Sequence, residues 1–245
     1  MNSGYYAACA GLMAQSLALD VLANNLANLS TTGYRGQVPT FRALLTGTLA
    51  VAANPLNRAI NNFGVLGGSR IDSSPGSLQR TGSPLDLAIE GAGYFVIQTK
   101  VGSRYTRAGN FRISVQGVLM TGAGDPVLGQ QGPITVPGGQ VSISADGTLS
   151  VDGAVADKLR VVEFPADAEM TSEGAAYYSA PDKAATPAVN SFIRQGMLET
   201  SNVNAMTATV ELIALQRRAD MLENALSIYY NNLNRIAADD LPRVQ

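Results

Sequence analysis

The feature that most constrains this chain is a leucine heptad that ends its N-terminal helix. Leu19 and Leu26 lie seven residues apart, and Leu22 and Leu29 each follow three residues later. This is the a/d spacing of a coiled-coil seam. Extending the register backward gives a weaker seam, with Tyr5 and Leu12 at a positions and Ala8 and Gln15 at d positions. The N-terminal helix is therefore expected to need an apolar partner.

A second seam with the same period lies near the C-terminus. Its a positions are Leu212, Ala219, Leu226 and Leu233, and its d positions are Leu215, Leu222, Tyr229 and Ile236. Most helical stability in proteins comes from burying an apolar face, and either seam alone would bury little. Pairing of the two terminal helices is the simplest prediction.

The C-terminal helix also carries apolar residues outside its seam. These are Val210, Ile213, Met221 and Ile228. A pair of helices cannot cover so wide an apolar surface. Either a third element of this chain or neighbouring subunits must cover it. Because the centre of the chain is predicted to form strands, we expect neighbouring subunits to do so.

The N-terminal helix also carries three asparagines, Asn24, Asn25 and Asn28, between the leucines of its seam. Asparagine is unfavourable inside a helix by roughly 0.5 kcal/mol relative to alanine. One explanation is proximity to the helix end, with Gly33 in the left-handed C′ position. The other is that the amides bond to a neighbouring subunit.

Composition excludes several classes of function. The chain is 46% hydrophobic, so it can form a real core, and its net charge of −2 includes no block of like charges. Neither nucleic acid nor an anionic membrane surface is indicated as a partner. The single cysteine, Cys9, rules out an internal disulfide, and the absence of histidine removes the commonest metal ligand and proton shuttle. We expect no cofactor, no metal and no catalytic residue.

No apolar run approaches 18 residues, and residues 1–18 lack the basic and apolar regions of a signal peptide. The sequence therefore predicts neither a membrane span nor a cleavable signal. The first helix is predicted to run from Asn2 or Ser3 to about Leu29, and the last from about Asn204 to Ala238. One short helical turn is predicted at residues 39–45, because Pro39 suits the first helical position.

The centre of the chain changes to short β-rich runs punctuated by glycine. The predicted strands are 85–89, 94–99, 111–115, 118–120, 141–144, 149–151 and 159–164. The fold class is therefore α+β: paired N- and C-terminal helices form a coiled-coil-like domain, with a central antiparallel all-β domain inserted between them. The predicted boundaries are 1–45 with 200–245 for the helical domain, 46–68 for an extended linker, and 69–199 for the β-rich domain.

Two patterns that could carry chemistry are better explained as structure. Gly91-Ala92-Gly93 and Gly122-Ala123-Gly124 precede no helical pattern, so they are predicted to be turns rather than phosphate loops. Asp86 and Glu90 are four residues apart. On a strand their carboxylates would be about 13 Å apart, farther than a glycosidase pair requires.

Four blocks of sequence form a recognisable set. The first is LDVLANNLANLSTTGYRGQ at 19–37, and the second is GSLQRTGSPLDLAIEGAGYFVI at 76–97 followed by YTRAGNF at 105–111. The third is EGAAYYSAP, which contains Tyr177 and Tyr178. The fourth is GMLE at 196–199 with SNVN at 201–204. Together they resemble the signatures of the bacterial flagellar rod and hook proteins of the axial family.

The resemblance implies a structural subunit of the flagellar basal-body rod, polymerising through its terminal helices into a helical tube that transmits motor torque. The chain is most like the proximal rod type, with distal rod and hook-type subunits as alternatives. The implied partners are copies of itself, other rod proteins and the flagellar export apparatus. The implied location is the periplasmic rod, reached without a cleavable signal and without membrane insertion.

The seam, the asparagines and the outer apolar residues together make the predicted subunit interface. Its members are Leu12, Leu19, Leu22, Asn24, Asn25, Leu26, Asn28, Leu212, Ile213, Leu215, Met221, Leu222, Leu226, Ile228 and Leu233. The rival classes are a β-rich cell-wall hydrolase and an adhesion module. A hydrolase would need an acid pair or a nucleophile with a base, and no histidine is present to serve.

Overall fold

The computed structural model describes residues 3–43, 64–165, 168, 170–174, 176–181 and 184–240. Helix α1 spans Ser3–Ala27 and helix α2 spans Ala205–Asp240, and a β-rich region lies between them in the chain. The fold is thus α+β with a terminal helix on each side of a central antiparallel region. None of the described helices is long and apolar enough to cross a membrane.

The described β region contains seventeen short strands. They are β1 Gln37–Ala43, β2 Gly64–Ile71, β3 Leu78–Arg80, β4 Leu87–Glu90, β5 Tyr94–Thr99, β6 Gly102–Thr106, β7 Arg112–Ile113, β8 Leu119–Met120, β9 Val141–Ile143, β10 Thr148–Val151, β11 Ala154–Lys158, β12 Val161–Glu163, β13 Thr171–Ser172, β14 Tyr177–Ser179, β15 Thr186–Pro187, β16 Phe192–Gln195 and β17 Met197–Glu199. The largest sheet has the order β13-β14-β6-β5-β12-β15, and every pairing within it is antiparallel. Smaller ladders join β11-β10-β9, β16-β4, β17-β3, β7-β8 and β1-β2.

The predicted helical turn at 39–45 is wrong where the structure describes it. Residues 37–43 form strand β1, which pairs with β2. Proline disfavours the helical conformation of the residue before it, here Val38, and favours an extended backbone. The Thr40 hydroxyl donates to the Gly68 carbonyl across this ribbon at 3.0 Å. Strand β2 also occupies the last part of the predicted linker, and residues 44–63 lie outside the described residues.

Helix α1 ends two residues earlier than predicted, at Ala27, because the chain turns at Asn28. The Thr31 amide donates to the Asn28 carbonyl at 3.2 Å, and the Thr31 hydroxyl donates to the Asn28 side-chain oxygen at 3.0 Å. Gly33 does have a left-handed backbone, with φ of 67°. It lies too far beyond Ala27 to be the C′ residue of the helix.

The chain divides into two compact units. The first contains residues 1–26, 38–69 and 205–245, and the second contains residues 27–37 and 70–204. The second unit thus includes residues 27–37, which continue the chain from the last residue of α1. It also includes everything up to the residue before α2.

The core of the second unit forms on both faces of strand β5. Phe95 and Ile97 belong to one buried cluster, while Tyr94 and Val96 belong to another. Successive side chains of a strand point to opposite faces, so a strand buried on both sides reads as a continuous apolar run. The rings of Phe95 and Phe111 meet edge to face with centroids 5.1 Å apart.

Candidate functional site: a buried ionic junction and the faces of two helices

The second unit contains a buried ionic junction built on Glu199. The Arg35 Nη2 atom lies 2.7 Å from Glu199 Oε1, and the Arg107 Nη1 atom lies 3.3 Å from Glu199 Oε2. All three side chains are at most 3% exposed. The nitrogens of the Arg35 guanidinium have no acceptor aligned with their N–H bonds, so its contact is ionic rather than a directed hydrogen bond. Two buried cations thus share one carboxylate.

Glu199 also joins three stretches of backbone. Its Oε1 atom accepts from the Gly76 amide at 2.9 Å, and its carbonyl oxygen accepts from the Gly33 amide at 2.8 Å. Its strand, β17, pairs with β3 so that Glu199 lies opposite Leu78. A charge this deeply buried is tolerated only when it is paired and hydrogen-bonded, and Glu199 meets both conditions.

Arg107 is held by the turn between β4 and β5. Its Nη2 atom donates to the Gly91 carbonyl at 2.6 Å, and its Nη1 atom donates to the Ile89 carbonyl at 3.2 Å. Its guanidinium carbon lies 4.9 Å from the centre of the Tyr94 ring. Burial lowers the pKa of Arg107, and the charge of Glu199 opposes that shift. Arginine nevertheless stays protonated in proteins.

Tyr178 and Asn202 complete the junction. The Arg35 amide donates to the Tyr178 hydroxyl oxygen at 2.8 Å, and burial raises the pKa of this phenol. The Asn202 Oδ1 atom accepts from the Gly36 amide at 2.7 Å, while its Nδ2 atom donates to the Ser74 carbonyl at 3.0 Å. The segment that enters the second unit after α1 is therefore bonded directly to the segment that leaves it before α2.

Gly33 is a position where the junction has no space for a side chain. A Cβ atom there would overlap the backbone of Arg107 and Ala108. The left-handed φ of 67° also favours glycine. Gly33 therefore lets its segment pack directly against the backbone of Arg107 and Ala108 while its amide donates to the Glu199 carbonyl.

Sequence reasoning placed Arg35, Arg107 and Glu199 inside the family signatures but gave them no role. A charged residue carries no periodic signal that it is buried, and each of the three comes from a different block. One available signal was a glycine within three residues of each charge, at Gly36, Gly109 and Gly196. Glycines near charged residues in three separate blocks are consistent with backbones that pack closely around the charges.

Helix α2 buries one row of side chains along its length. Ala208 is buried, and Leu212, Leu215, Ala219, Leu222 and Leu226 are half-buried, whereas most residues between them are exposed. From Leu212 to Leu226 these are the a and d residues of the predicted seam. The Gln15 side-chain amide of α1 donates to the Leu215 carbonyl at 2.9 Å.

Helix α1 turns a slightly different row inward from the one predicted. Its most buried residues are Ala14, Ala18, Leu22 and Asn25, while Leu12, Leu19 and Leu26 are half-buried. A straight helix has 3.6 residues per turn, so a strict seven-residue repeat drifts around its surface. Asn24 is exposed and Asn28 is half-buried. Of the three asparagines, Asn25 is the one that lies inside.

The outer apolar residues of α2 are exposed in the isolated chain. The exposed fractions are 48% for Ile213, 63% for Met221 and 62% for Ile228. The side chain of Leu233 lies outside the described residues. Nothing in the described part of the chain covers this face fully.

The patterns tested for chemistry are structural. Gly91 and Gly124 have left-handed backbones in the turns predicted for them. Glu90 forms an exposed ion pair with Arg194, whose Nη2 atom lies 2.7 Å away. The described residues contain no group of three or more histidine, cysteine or carboxylate side chains placed to hold a metal.

The second unit joins the segment after α1 to the segment before α2 through buried charges, and both helices leave apolar residues exposed. These features are typical of a structural subunit that assembles with others. The family models that match this chain agree. "Flagella basal body rod protein" matches residues 6–35, "Flagellar hook protein FlgE/F/G D1 domain" matches 88–151, and "Flagellar basal body rod FlgEFG protein C-terminal" matches 194–229.

Curated relatives match over most of the chain. The flagellar basal-body rod protein FlgF of Escherichia coli is 34% identical and covers 88% of this chain and 89% of its own. FlgF of Caulobacter vibrioides is 31% identical over 96% and 98%, and FlgG of Bacillus subtilis is 33% identical over 89% and 91%. The chain belongs to the flagellar basal-body rod protein family. It is a structural protein of the flagellum and not an enzyme.

Proposed function

We propose that this chain is a subunit of the proximal rod that polymerises through its terminal helices into a helical tube and transmits motor torque. The observation that carries the proposal is that α2 is apolar on two sides. One row, from Leu212 to Leu226, is half-buried within the chain, while Ile213, Met221 and Ile228 stay exposed. An exposed apolar face of this length on an otherwise polar helix needs a partner.

The two helices pair antiparallel in this proposal, as a coiled-coil-like domain. Gln15 of α1 contacts Leu215 in the first third of α2. An antiparallel pair that meets there places the last turn of α1 beside the first turn of α2. Buried Leu22 and Asn25 then face the part of α2 that contains buried Ala208. With 36 residues against 25, α2 extends beyond the start of α1.

The outer face of α2 contacts neighbouring subunits, and so do exposed Asn24 of α1 and half-buried Asn28 just after it. A contact between two different faces repeats from one subunit to the next and makes an open helical polymer when the rotation between subunits does not close a ring, whereas a self-complementary contact stops at a dimer. The partners are therefore copies of this chain and other rod proteins. The flagellar export apparatus delivers the subunit to the periplasmic rod.

The buried junction suits a subunit that carries torque. It joins residues 33–36 to residues 199–202 by hydrogen bonds and by the charge of Glu199. A force applied at either end of the second unit is then resisted by the hydrogen bonds and ion pairs that join these two segments. The role in torque transmission rests on this arrangement.

The proximal rod type is favoured over the distal rod and hook types by the relatives. FlgF proteins of Escherichia coli and Caulobacter vibrioides match over nearly their whole length. FlgG proteins match at similar identity, so the distal type is the second candidate.

The test is complementation in a flagellated bacterium that lacks its own proximal rod subunit. We expect the full chain to restore basal bodies seen by electron microscopy and swimming in soft agar. Ile213→Asp and Met221→Asp should abolish both, since each buries a charge in an apolar contact. Val189→Asp is the matched control, because Val189 is 83% exposed in the second unit. Basal bodies that form normally with both α2 variants would refute the proposal, and so would failure of the soluble wild-type chain to enter basal bodies.

A further inference from the structure

The outward face of α1 carries the one charge of that helix. Within Ser3–Ala27, Asp20 is the only charged residue, and it is exposed. At 3.6 residues per turn it lies opposite the buried row of Ala18, Leu22 and Asn25. Met13 and Leu17 lie on the same outward face and are 70% and 48% exposed.

The outward face of α2 carries charges of both signs, because exposed Asp220 lies one turn after Arg217 on the same side of the helix. Arg217 is exposed and lies opposite the half-buried row. Apolar residues flank it along the helix, with Val210 and Ile213 before it and Met221 after it, all exposed. None of the ion pairs among the described residues includes Asp20 or Arg217.

We propose that the outward face of α1 in one copy docks on the outward face of α2 in a second copy, with Asp20 against Arg217. The inference rests on the proposed assembly through the helices and names the faces that meet. The two faces differ, so each subunit offers one of each and the contact can repeat from one copy to the next. Contact of α1 with α1 is disfavoured, because it brings Asp20 to Asp20 with no cation on that face to pair with it.

The spacing of apolar residues selects a parallel docking. Met13 and Val210 both lie seven residues before the charge of their helix, and Leu17 and Ile213 lie three and four residues before it. A parallel contact therefore places apolar residues opposite apolar residues on one side of the ion pair. An antiparallel contact would place Met13 opposite Asn224 and Leu17 beside Asp220 and Met221, so it matches one apolar pair where the parallel contact matches two. The unfavourable apolar-to-polar contacts of the antiparallel orientation then favour the parallel one.

Cysteine cross-linking between copies tests which faces meet. In a Cys9→Ser background, one chain carries Leu17→Cys and a second chain of different tag length carries Ile213→Cys, and both are expressed in the complemented cells. We expect a disulfide between the two chains in isolated basal bodies. Pairing Leu17→Cys with Val189→Cys is the matched control and should give none. Products of one chain with itself, or no mixed product in basal bodies that contain both chains, would overturn the inference.

Charge reversal tests the ion pair. We expect Asp20→Arg and Arg217→Asp each to reduce basal-body number about tenfold, as a loss of roughly 1.4 kcal/mol per contact would. The double variant should recover most of that loss, because the pair is restored with its charges exchanged. A double variant no better than the singles overturns the inference, while normal basal bodies from the wild-type chain keep the proposed function intact. Failure of the wild-type chain to enter basal bodies would overturn both.

Discussion

The Nη2 atom of Arg35 lies 2.7 Å from the Oε1 atom of Glu199, and both side chains are almost fully buried. Arg35 follows the N-terminal helix and Glu199 precedes the C-terminal one, so this ion pair closes the long loop between the chain ends. Removing one partner of a buried ion pair leaves an uncompensated charge, which costs more than the pair contributes. The junction is therefore the most sensitive point of the second unit.

We predict that Glu199→Gln lowers the free energy of unfolding by about 3–5 kcal/mol, since it leaves two buried guanidinium groups without a counter-charge. Urea denaturation of the full chain measures the change. The matched control is Glu90→Gln, because Glu90 and Arg194 form an ion pair in which both side chains are 52% exposed. That pair should contribute at most about 1 kcal/mol. Equal effects of the two variants would contradict the importance of burial at Glu199.

Gly33→Ala should destabilise the second unit more than an alanine at another left-handed glycine. A Cβ at Gly33 overlaps the Arg107 backbone, whereas a Cβ at Gly153, with φ of 85°, has no atom within 4 Å. We expect Gly153→Ala to cost about 1–2 kcal/mol from its backbone conformation alone. Gly33→Ala should cost clearly more in the same urea titration. Similar losses of unfolding free energy in the two variants would show that the close approach at Gly33 does not affect stability.

Tyr178→Phe should lower the free energy of unfolding by about 1–3 kcal/mol, because it leaves the buried Arg35 amide without an acceptor. Ring packing against Tyr94 is kept, since the centroids lie 5.8 Å apart and phenylalanine preserves the ring. The loss should therefore appear without a large change in the aromatic circular dichroism. An unfolding free energy equal to wild type would show that this hydrogen bond contributes nothing.

The pKa of Asp146 should be about 2 in the folded chain. Its largest cause is the Thr148 hydroxyl, which donates to the carboxylate at 2.8 Å, followed by the Lys158 ammonium at 3.2 Å. A carboxyl whose folded pKa lies below its unfolded value of 3.8 contributes stability above that value and loses it as the pH falls toward 2. Carboxyl carbon chemical shifts across an acid titration measure the pKa directly.

The two donors can be separated by substitution. Thr148→Val should raise the pKa of Asp146 more than Lys158→Gln does, because the hydroxyl bond is the larger cause. Titration midpoints that respond only to the lysine substitution would show that charge rather than hydrogen bonding lowers this pKa.

In the free subunit we expect the second unit to fold before the terminal helices become stable. Isolated helices are marginal in water, and α1 and α2 both leave apolar rows uncovered. Hydrogen exchange should therefore protect the amides of Gly33 and Gly36 as strongly as those of β5, because both are bonded within the junction. The amides of α1 should exchange much faster. Strong protection of both helices in a verified monomer would contradict this order.

The sequence determined the features that depend on local periodicity. The half-buried row of α2 from Leu212 to Leu226 is the predicted heptad, and strand β5 has the predicted bounds of Tyr94–Thr99. The first pattern repeats every 3.5 residues and the second is one continuous apolar run. Each can therefore be read from residues that are close together in the chain. The family signatures were equally readable, because they are contiguous in the chain.

Only the tertiary structure decided how those blocks meet. Strands of two or three residues such as β3, β13 and β15 were not predicted, because their partners rather than their composition make them strands. The inward row of α1 moved to Ala14, Ala18 and Asn25, since what packs on a helix selects among neighbouring rows. The junction of Arg35, Arg107 and Glu199 joins residues far apart in the chain. Burial of a charge is a property of its surroundings, and no local pattern records which distant residues will surround it.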